Sequence, residues 1–220
     1  MRYCADVAIV DYGMGNLFSV ANACAKVGLE AIITDRPDIA GRARAVILPG
    51  VGAFGDAMNN LSSLGFVEVL RNAALEGKPF LGVCLGMQLL MSESDEFGRH
   101  KGLDILPGSV IRFPEKDAEG NRVKVPQVAW NRIRKVSSET GLTSKILNGV
   151  EDDEFMYFVH SFYVVPQNEE DIVTNTEYCG IRYCSAIARG QTIGTQFHPE
   201  KSGPPGLDIY RNFTKIIRGE

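Results

Sequence analysis

Residues 80–88 read FLGVCLGMQ, and the order of residue types there decides the fold around them. The apolar run 80–83 is short and unbroken, as in a strand buried on both faces, and 85–92 reads as the first turns of a helix. Cys84 stands on the junction, with Gly82 two residues before it and Gly86 two residues after. That is the layout of a nucleophile elbow. Glycines allow the sharp turn and close packing, the side chain projects above the sheet edge, and the free N–H groups at the helix start favour an anionic sulfur. The N–H of Leu85 is then placed to face a developing oxyanion. Plain packing at a strand-to-helix junction would use the same glycines, so residues elsewhere in the chain must choose between the two readings.

Upstream of the elbow the strand-then-helix unit repeats. An apolar run at 7–10 ends in Asp11 and a glycine-rich turn, helical spacing follows over 16–27, and Gly28 stops it. Residues 31–34 and 45–48 read as strands, and Pro49-Gly50-Val51-Gly52 breaks the second before helical stretches at 56–64 and 67–76. Parallel crossovers are implied. From Gly102 onward the pattern shortens to alternating strands at 110–113, 125–128, 156–165 and 172–176, which suits antiparallel pairing, with 115–122 as a solvated hairpin turn or loop. Residues 185–197 supply two more strands about Arg189-Gly190, and 206–218 make a closing helix. The expected fold is α/β, one domain over residues 1–220, with a mixed, largely parallel central sheet and helices on both faces.

Composition narrows the function. A chain of 220 residues with 45% hydrophobic and 23% charged residues belongs with ordinary soluble globular proteins, which excludes disordered, collagenous and coiled-coil classes. Its net charge of −4, with basic residues scattered, offers no footprint for nucleic acid or an anionic membrane. The partner is then a small molecule or a protein. No apolar run approaches the roughly 20 residues needed to cross a bilayer, and the start MRYCADVAIVDYGMGN lacks the features of a signal peptide, so a cytoplasmic protein is expected. Cys4, Cys24, Cys84, Cys179 and Cys184 are odd in number, widely spaced and without a CxxC pair, hence free thiols. All but Cys84 read as buried or half-buried filler. No P-loop lysine motif or full dinucleotide fingerprint is present, so no cofactor or metal is expected.

A thiol nucleophile needs a base, and there are three histidines to weigh. His100, in EFGRHKG, is expected at the surface. His160, in YFVHSFYV, reads as a hydrogen-bonded core histidine or a wall of the site. His198 follows an apolar strand run and opens His-Pro-Glu. In an extended segment residues i and i+2 share a side, so Glu200 can orient the imidazole while Pro199 stiffens the pair; a surface turn is the bland alternative. Cys84, His198 and Glu200 together compose a Cys–His–Glu triad. Pro49-Gly50-Val51-Gly52, ending a neighbouring parallel strand, would bring a second backbone N–H to the same edge, unless it is an ordinary glycine-rich turn.

At these residues the sequence resembles the class I glutamine amidotransferases, whose pattern G-x-C-x-G-x-Q with a distal H-P-E is matched by Gly82, Cys84, Gly86, Gln88, His198 and Glu200. The nearer resemblance, over almost the whole chain, is to the glutaminase subunits of imidazole glycerol phosphate synthase in histidine biosynthesis. It is carried by DYGMGNL (11–17), LPGVGAFGDAM (48–58), GVCLGMQLL (82–90), YFVHSF (157–162) and QFHPEKS (196–202).

The resemblance implies a flavodoxin-like fold and a reaction in which Cys84 attacks the glutamine side-chain amide. His198 then protonates the departing nitrogen and later activates the water that hydrolyses the glutamyl thioester, with Glu200 orienting the ring. It implies oxyanion donors at the amides of Leu85 and Val51, with Gly52 and Gln88 in the glutamine pocket. The implied partner is a (β/α)8 cyclase subunit that uses the ammonia to make imidazole glycerol phosphate and aminoimidazole carboxamide ribotide, docked on Asn16, Trp130 and Lys201. Trp130 also fits a core or rim aromatic. The glycines of the 49–52 turn would let the Val51 amide point away until the synthase docks.

One departure stands out. The family commonly reads P-H-M-G-W-N where this chain reads Pro126-Gln127-Val128-Ala129-Trp130-Asn131, replacing a histidine and a glycine at the expected interface. A paralogous glutaminase feeding another synthase, for instance in surface-glycan amidation, therefore stays open. So do a stand-alone γ-glutamyl cysteine hydrolase and a non-catalytic binding module.

Overall fold

The computed structural model describes residues 5–136 and 145–220, which leaves Cys4 outside the described residues. The half of the sheet that holds the elbow is parallel. β1 (Val7–Val10), β2 (Ala31–Thr34), β3 (Ala45–Gly50), β4 (Phe80–Cys84) and, from far along the chain, β13 (Thr192–Thr195) lie in the order β2-β1-β3-β4-β13. Every residue of β1, β3, β4 and β13 is buried, which is why the runs at 7–10, 45–48 and 80–83 read as apolar; β13, Thr-Ile-Gly-Thr, is buried without being so.

Side chains alternate between two cores. Val7 and Ile9 of β1 join Ala45 and Ile47 of β3 on one face, beneath α1 (Leu17–Lys26) and α6 (Gly203–Arg218), whose Val20, Cys24, Ile209 and Phe213 fill the same cluster. Ala8 and Val10 join Val46 and Leu48 on the other face, beneath α2 (Pro37–Arg42), α3 (Phe54–Ser63) and α4 (Phe66–Leu75). Helices thus cover both faces, as expected. The sequence reading missed α2: six residues opening with a proline are too few to show a helical period.

Past β13 the sheet turns antiparallel. β12 (Ile181–Arg189), β10 (Phe162–Pro166) and β7 (Gly108–Arg112) follow in that order, and the short β5 (Glu93–Ser94), which is parallel to β7, and β6 (His100–Lys101) close the edge. A branch leaves β12 through β11 (Ile172–Tyr178) to β8 (Gln127–Lys135) and β9 (Glu154–His160). Three expectations need correcting. The run 156–165 is two strands, broken at Ser161 because β9 pairs with β8 while β10 pairs with β7 and β12. The strand expected at 125–128 starts at Gln127, after Pro126, which has no N–H to give a ladder, and continues to Lys135. Cys179 is exposed, not filler, because it sits with φ 50° in the turn between β11 and β12. No described helix is long and apolar enough to cross a membrane.

Candidate active site

Cys84 ends β4 with φ 55° and ψ −110°, a strained conformation that persists only where the surroundings enforce it. Close packing enforces it here. A Cβ on Gly86 would lie 1.7 Å from the Leu48 carbonyl oxygen of β3, and one on Gly82 would lie 2.7 Å from the Gly86 oxygen. Glycine at both positions lets α5 (Leu85–Leu89) fold directly back onto the strands. The helix is shorter than the 85–92 stretch expected for it, so it offers the free N–H groups of one turn and not the dipole of a long helix.

The second half of the site arrives through strand register. β13 runs parallel to β4 with Thr195 opposite Val83, so the chain leaving β13 passes beside the elbow. Three residues further on, His198 is held at three points. Its backbone N–H donates to the Tyr157 carbonyl at 2.9 Å, its carbonyl accepts from Ser202 Oγ at 2.6 Å, and its Nδ1 meets Glu200 Oε1 at 2.8 Å. The contact does not come from strand alternation, as the sequence suggested. Pro199–Lys201 is a 3-10 turn, since the fixed φ of proline suits the start of a helical turn, and Glu200 reaches the ring by curling back.

The two side chains are almost sealed from solvent, at 2% and 1% exposure. Because Glu200 occupies Nδ1, the ring presents Nε2, which has no hydrogen-bond partner among the described residues. Burial works against a charged imidazole here, but Cys84 first and Glu200 second outweigh it and push the His198 pKa up to about 10. A ring that carries its proton beside the sulfur is the counter-charge a thiolate needs.

His160 has the opposite character. Burial pulls its pKa down to about 4 against the opposing hydrogen bond to the Phe162 carbonyl, with His198 adding to the depression. Its Nδ1 lies 2.8 Å from the Phe162 oxygen and its Nε2 3.3 Å from Tyr183 Oη. It is neutral and locked, a wall and not a base. His100 is half-buried beside Gly55 of α3, where the sequence reading expected an exposed side chain.

A cavity of about 270 Å3 opens on Cys84, and Val51, Gly52, Leu85 and Gln88 all line it. His160, Ser161 and Phe162 also line it, together with Glu96. A larger hollow, about 660 Å3, runs along residues 112–125, but its lining contains no thiol, hydroxyl or imidazole. Of the three groups, the Cys84 thiol lines the smaller cavity, and His198 and Glu200 lie behind it.

Residues 8–217 match the family model for the class-I glutamine amidotransferases. The chain belongs to that family. Among its relatives, imidazole glycerol phosphate synthase subunit HisH of Methanothermobacter thermautotrophicus is 49% identical, over 96% of this chain and 99% of its own. The subunit of the same name from Geobacter metallireducens is 47% identical, over 95% and 97%. Among solved structures, PurLQS from Thermotoga maritima aligns with a TM-score of 0.70 at 18% identity, covering 97% of this chain and 99% of that one; at such identity the likeness concerns the fold alone.

Two residues of this amidotransferase escaped the sequence reading, one in the cavity wall and one against the Cys84 sulfur. Glu96 is buried, and its Oε2 accepts the Phe54 N–H of α3 at 2.7 Å. It stands in the polar stretch SESDEFG, where nothing separates it from its exposed neighbours. Gln196 is fully buried, with its Nε2 3.7 Å from Cys84 Sγ, and its only signal was its place two residues before His198. Gln88 does more than line the cavity: its Nε2 donates to the Phe162 carbonyl at 2.9 Å and to Gln196 Oε1 at 3.1 Å. The 49–52 turn is braced by Tyr12 Oη, which donates to the Pro49 carbonyl at 2.9 Å.

The three residues named for a partner lie on different elements of the amidotransferase. Trp130 is 51% exposed on β8 and packs edge-on against Tyr157 of β9, whose ring also lies under Lys201 Nζ at 5.8 Å. The Tyr157 ring stands 6.4 Å from that of His198. Asn16 caps α1, accepting the Ser19 N–H at 3.4 Å, and α1 packs against the 199–201 turn. Gln127 corrects an expectation. It is 0% exposed and accepts from Tyr183 Oη at 3.0 Å, because alternation along β8 turns it inward and leaves Val128 and Trp130 facing out.

Proposed function

We propose that this amidotransferase is the glutaminase subunit of imidazole glycerol phosphate synthase and that Cys84, His198 and Glu200 carry its chemistry. The observation that carries this reading is the division of the His198 ring, Nδ1 held by a sealed carboxylate and Nε2 left for the sulfur of Cys84, which lines the cavity. The Cys84 proton passes to Nε2, the thiolate attacks the side-chain amide carbon of glutamine, and the amides of Leu85 and Val51 receive the oxyanion. His198 returns the proton to the leaving nitrogen and ammonia departs. The same ring then takes a proton from water, whose oxygen attacks the thioester and releases glutamate from Cys84.

Glu96 is the carboxylate in the cavity wall, suited to the α-ammonium of the substrate. Glu96→Gln keeps an acceptor for the Phe54 N–H while removing the charge. The expected result is a KM for glutamine raised about 10-fold or more with kcat changed much less, measured as glutamate release against glutamine concentration. Equal KM in both proteins would remove Glu96 from the binding site.

Ammonia set free in water is protonated and lost, so we assign the product to a (β/α)8 cyclase bound as a heterodimer, with the ammonia channelled between the subunits. Exposed Val128, Trp130 and Phe155 on β8 and β9 give the docking face an apolar centre next to the triad. The glutamine that replaces a histidine there points inward, so this one change leaves the exposed side chains of β8 as they are and is compatible with a histidine-biosynthetic partner, whereas Val128 of the same stretch stands in the outer face. Four unpaired thiols among the described cysteines fit a reducing, cytoplasmic setting. Glutamine hydrolysis with the cyclase and its acceptor nucleotide is expected to exceed hydrolysis by the chain alone by about 10-fold or more. Equal turnover would reject gating by the partner, and failure to form a one-to-one complex on gel filtration would reject the cyclase assignment.

A further inference from the structure

The sulfur of Cys84 has two polar neighbours besides His198, and they favour opposite charge states. The Val159 carbonyl oxygen lies 3.9 Å from Sγ, where it accepts the S–H of a thiol. Gln196 Nε2 lies 3.7 Å away and can only donate. The orientation of that amide is determined by its other end. Gln196 Oε1 accepts from Gln88 Nε2 at 3.1 Å, and Gln88 Nε2 is itself anchored on the Phe162 carbonyl at 2.9 Å. Rotating the Gln196 amide by half a turn would set two NH2 groups against each other, so the NH2 faces the sulfur.

We propose that Gln196 is a further catalytic residue, a neutral donor that holds the Cys84 thiolate while His198 holds the proton. It rests on the reading of Cys84 as nucleophile and goes beyond it by adding a second donor to the same atom. The register of β13 on β4 places the donor there, since Thr195, the last residue of β13, stands opposite Val83, and the chain then continues to Gln196 as β4 continues to Cys84. Gln196 is fully buried, so water does not take over the hydrogen bond when the amide is removed. As the thiolate attacks and its charge moves to the substrate oxygen, this bond weakens and the oxyanion amides take up the charge. Gln88, in the cavity wall, keeps the donor aimed throughout.

The test compares the full-length chain with Gln196→Met, which keeps the volume and removes the donor, and Gln196→Glu, which turns an acceptor toward the sulfur. Iodoacetamide alkylation is followed by mass spectrometry on the peptide bearing Cys84, with exposed Cys179 in the same sample as internal standard. The Met variant is expected to be alkylated at Cys84 about 10-fold more slowly at pH 7, with its pH–rate profile moved to higher pH and Cys179 unaffected. The Glu variant is expected to be slower still. In the synthase complex kcat for glutamine hydrolysis falls by a similar factor, while KM stays within about threefold. Should the Glu variant fail to fold, the Met variant carries the test alone. Alkylation of Gln196→Met at the wild-type rate overturns the proposal and leaves the triad untouched, whereas undiminished hydrolysis by Cys84→Ala would remove the nucleophile reading itself.

Discussion

Cys84→Ala is expected to lower glutamine hydrolysis in the synthase complex by about 10,000-fold or more, because loss of a nucleophile removes the covalent route entirely and leaves only binding and oxyanion stabilisation. The protein should remain folded. Cys84 ends a buried strand and forms no disulfide, so removing one sulfur costs about 1 kcal/mol of stability. Thermal unfolding and gel filtration with the cyclase check that point. The decisive measurement is glutamate release, with a second assay in which ammonium salts replace glutamine. Synthase activity from ammonium should survive, since the variant damages only the supply of ammonia. Cys84→Ser makes a finer comparison: the hydroxyl occupies the same place but yields its proton far less readily, and it should fall close to the alanine variant. Retention of a tenth of the wild-type rate by Cys84→Ala would end the proposed mechanism.

Gly86→Ala is the largest expected change in stability, a loss of about 3 kcal/mol or more. The added methyl would sit 1.7 Å from the Leu48 carbonyl oxygen, a backbone atom of the adjacent strand. A side chain in its place could rotate away, but a strand that is hydrogen-bonded along its length cannot. Either α5 lifts from the sheet or β3 and β4 separate, and each outcome moves Cys84 relative to His198. Gly28→Ala is the matching control. Its φ of 72° carries a strain cost of about 1–2 kcal/mol, with nothing within 4 Å of the new methyl. Urea unfolding of the two variants should separate them clearly. Equal destabilisation would mean that the elbow is more pliable than its packing implies, and the account of the Cys84 backbone would have to be abandoned.

The parallel half of the fold was readable because buried strands need unbroken apolar runs and the turns between strand and helix need glycine. β1, β2 and β4 fall within a residue of where those patterns put them. The antiparallel half was less legible. Periodicity sees an apolar alternation through 156–165, but which partner each half of it pairs with is a long-range matter, and the break at Ser161 comes from that choice. The same holds inside the site. Cys84 and His198 announce themselves through local motifs, whereas Glu96 and Gln196 become site residues only because α3 and the β4–β13 register carry them there.

From residue order alone came the chemistry on offer: a thiol on a glycine-flanked bend, one histidine paired with an acid, and a chain of the right size and charge to bury them. The folded protein decided which groups meet. It put Gln127 inside and Trp130 outside, made His160 a neutral wall, gave His198 its single open nitrogen, and aimed the Gln196 amide at the sulfur. These outcomes depend on strand register and on burial, which set distance and dielectric between residues far apart along the chain, and neither quantity is a property of any local stretch of sequence.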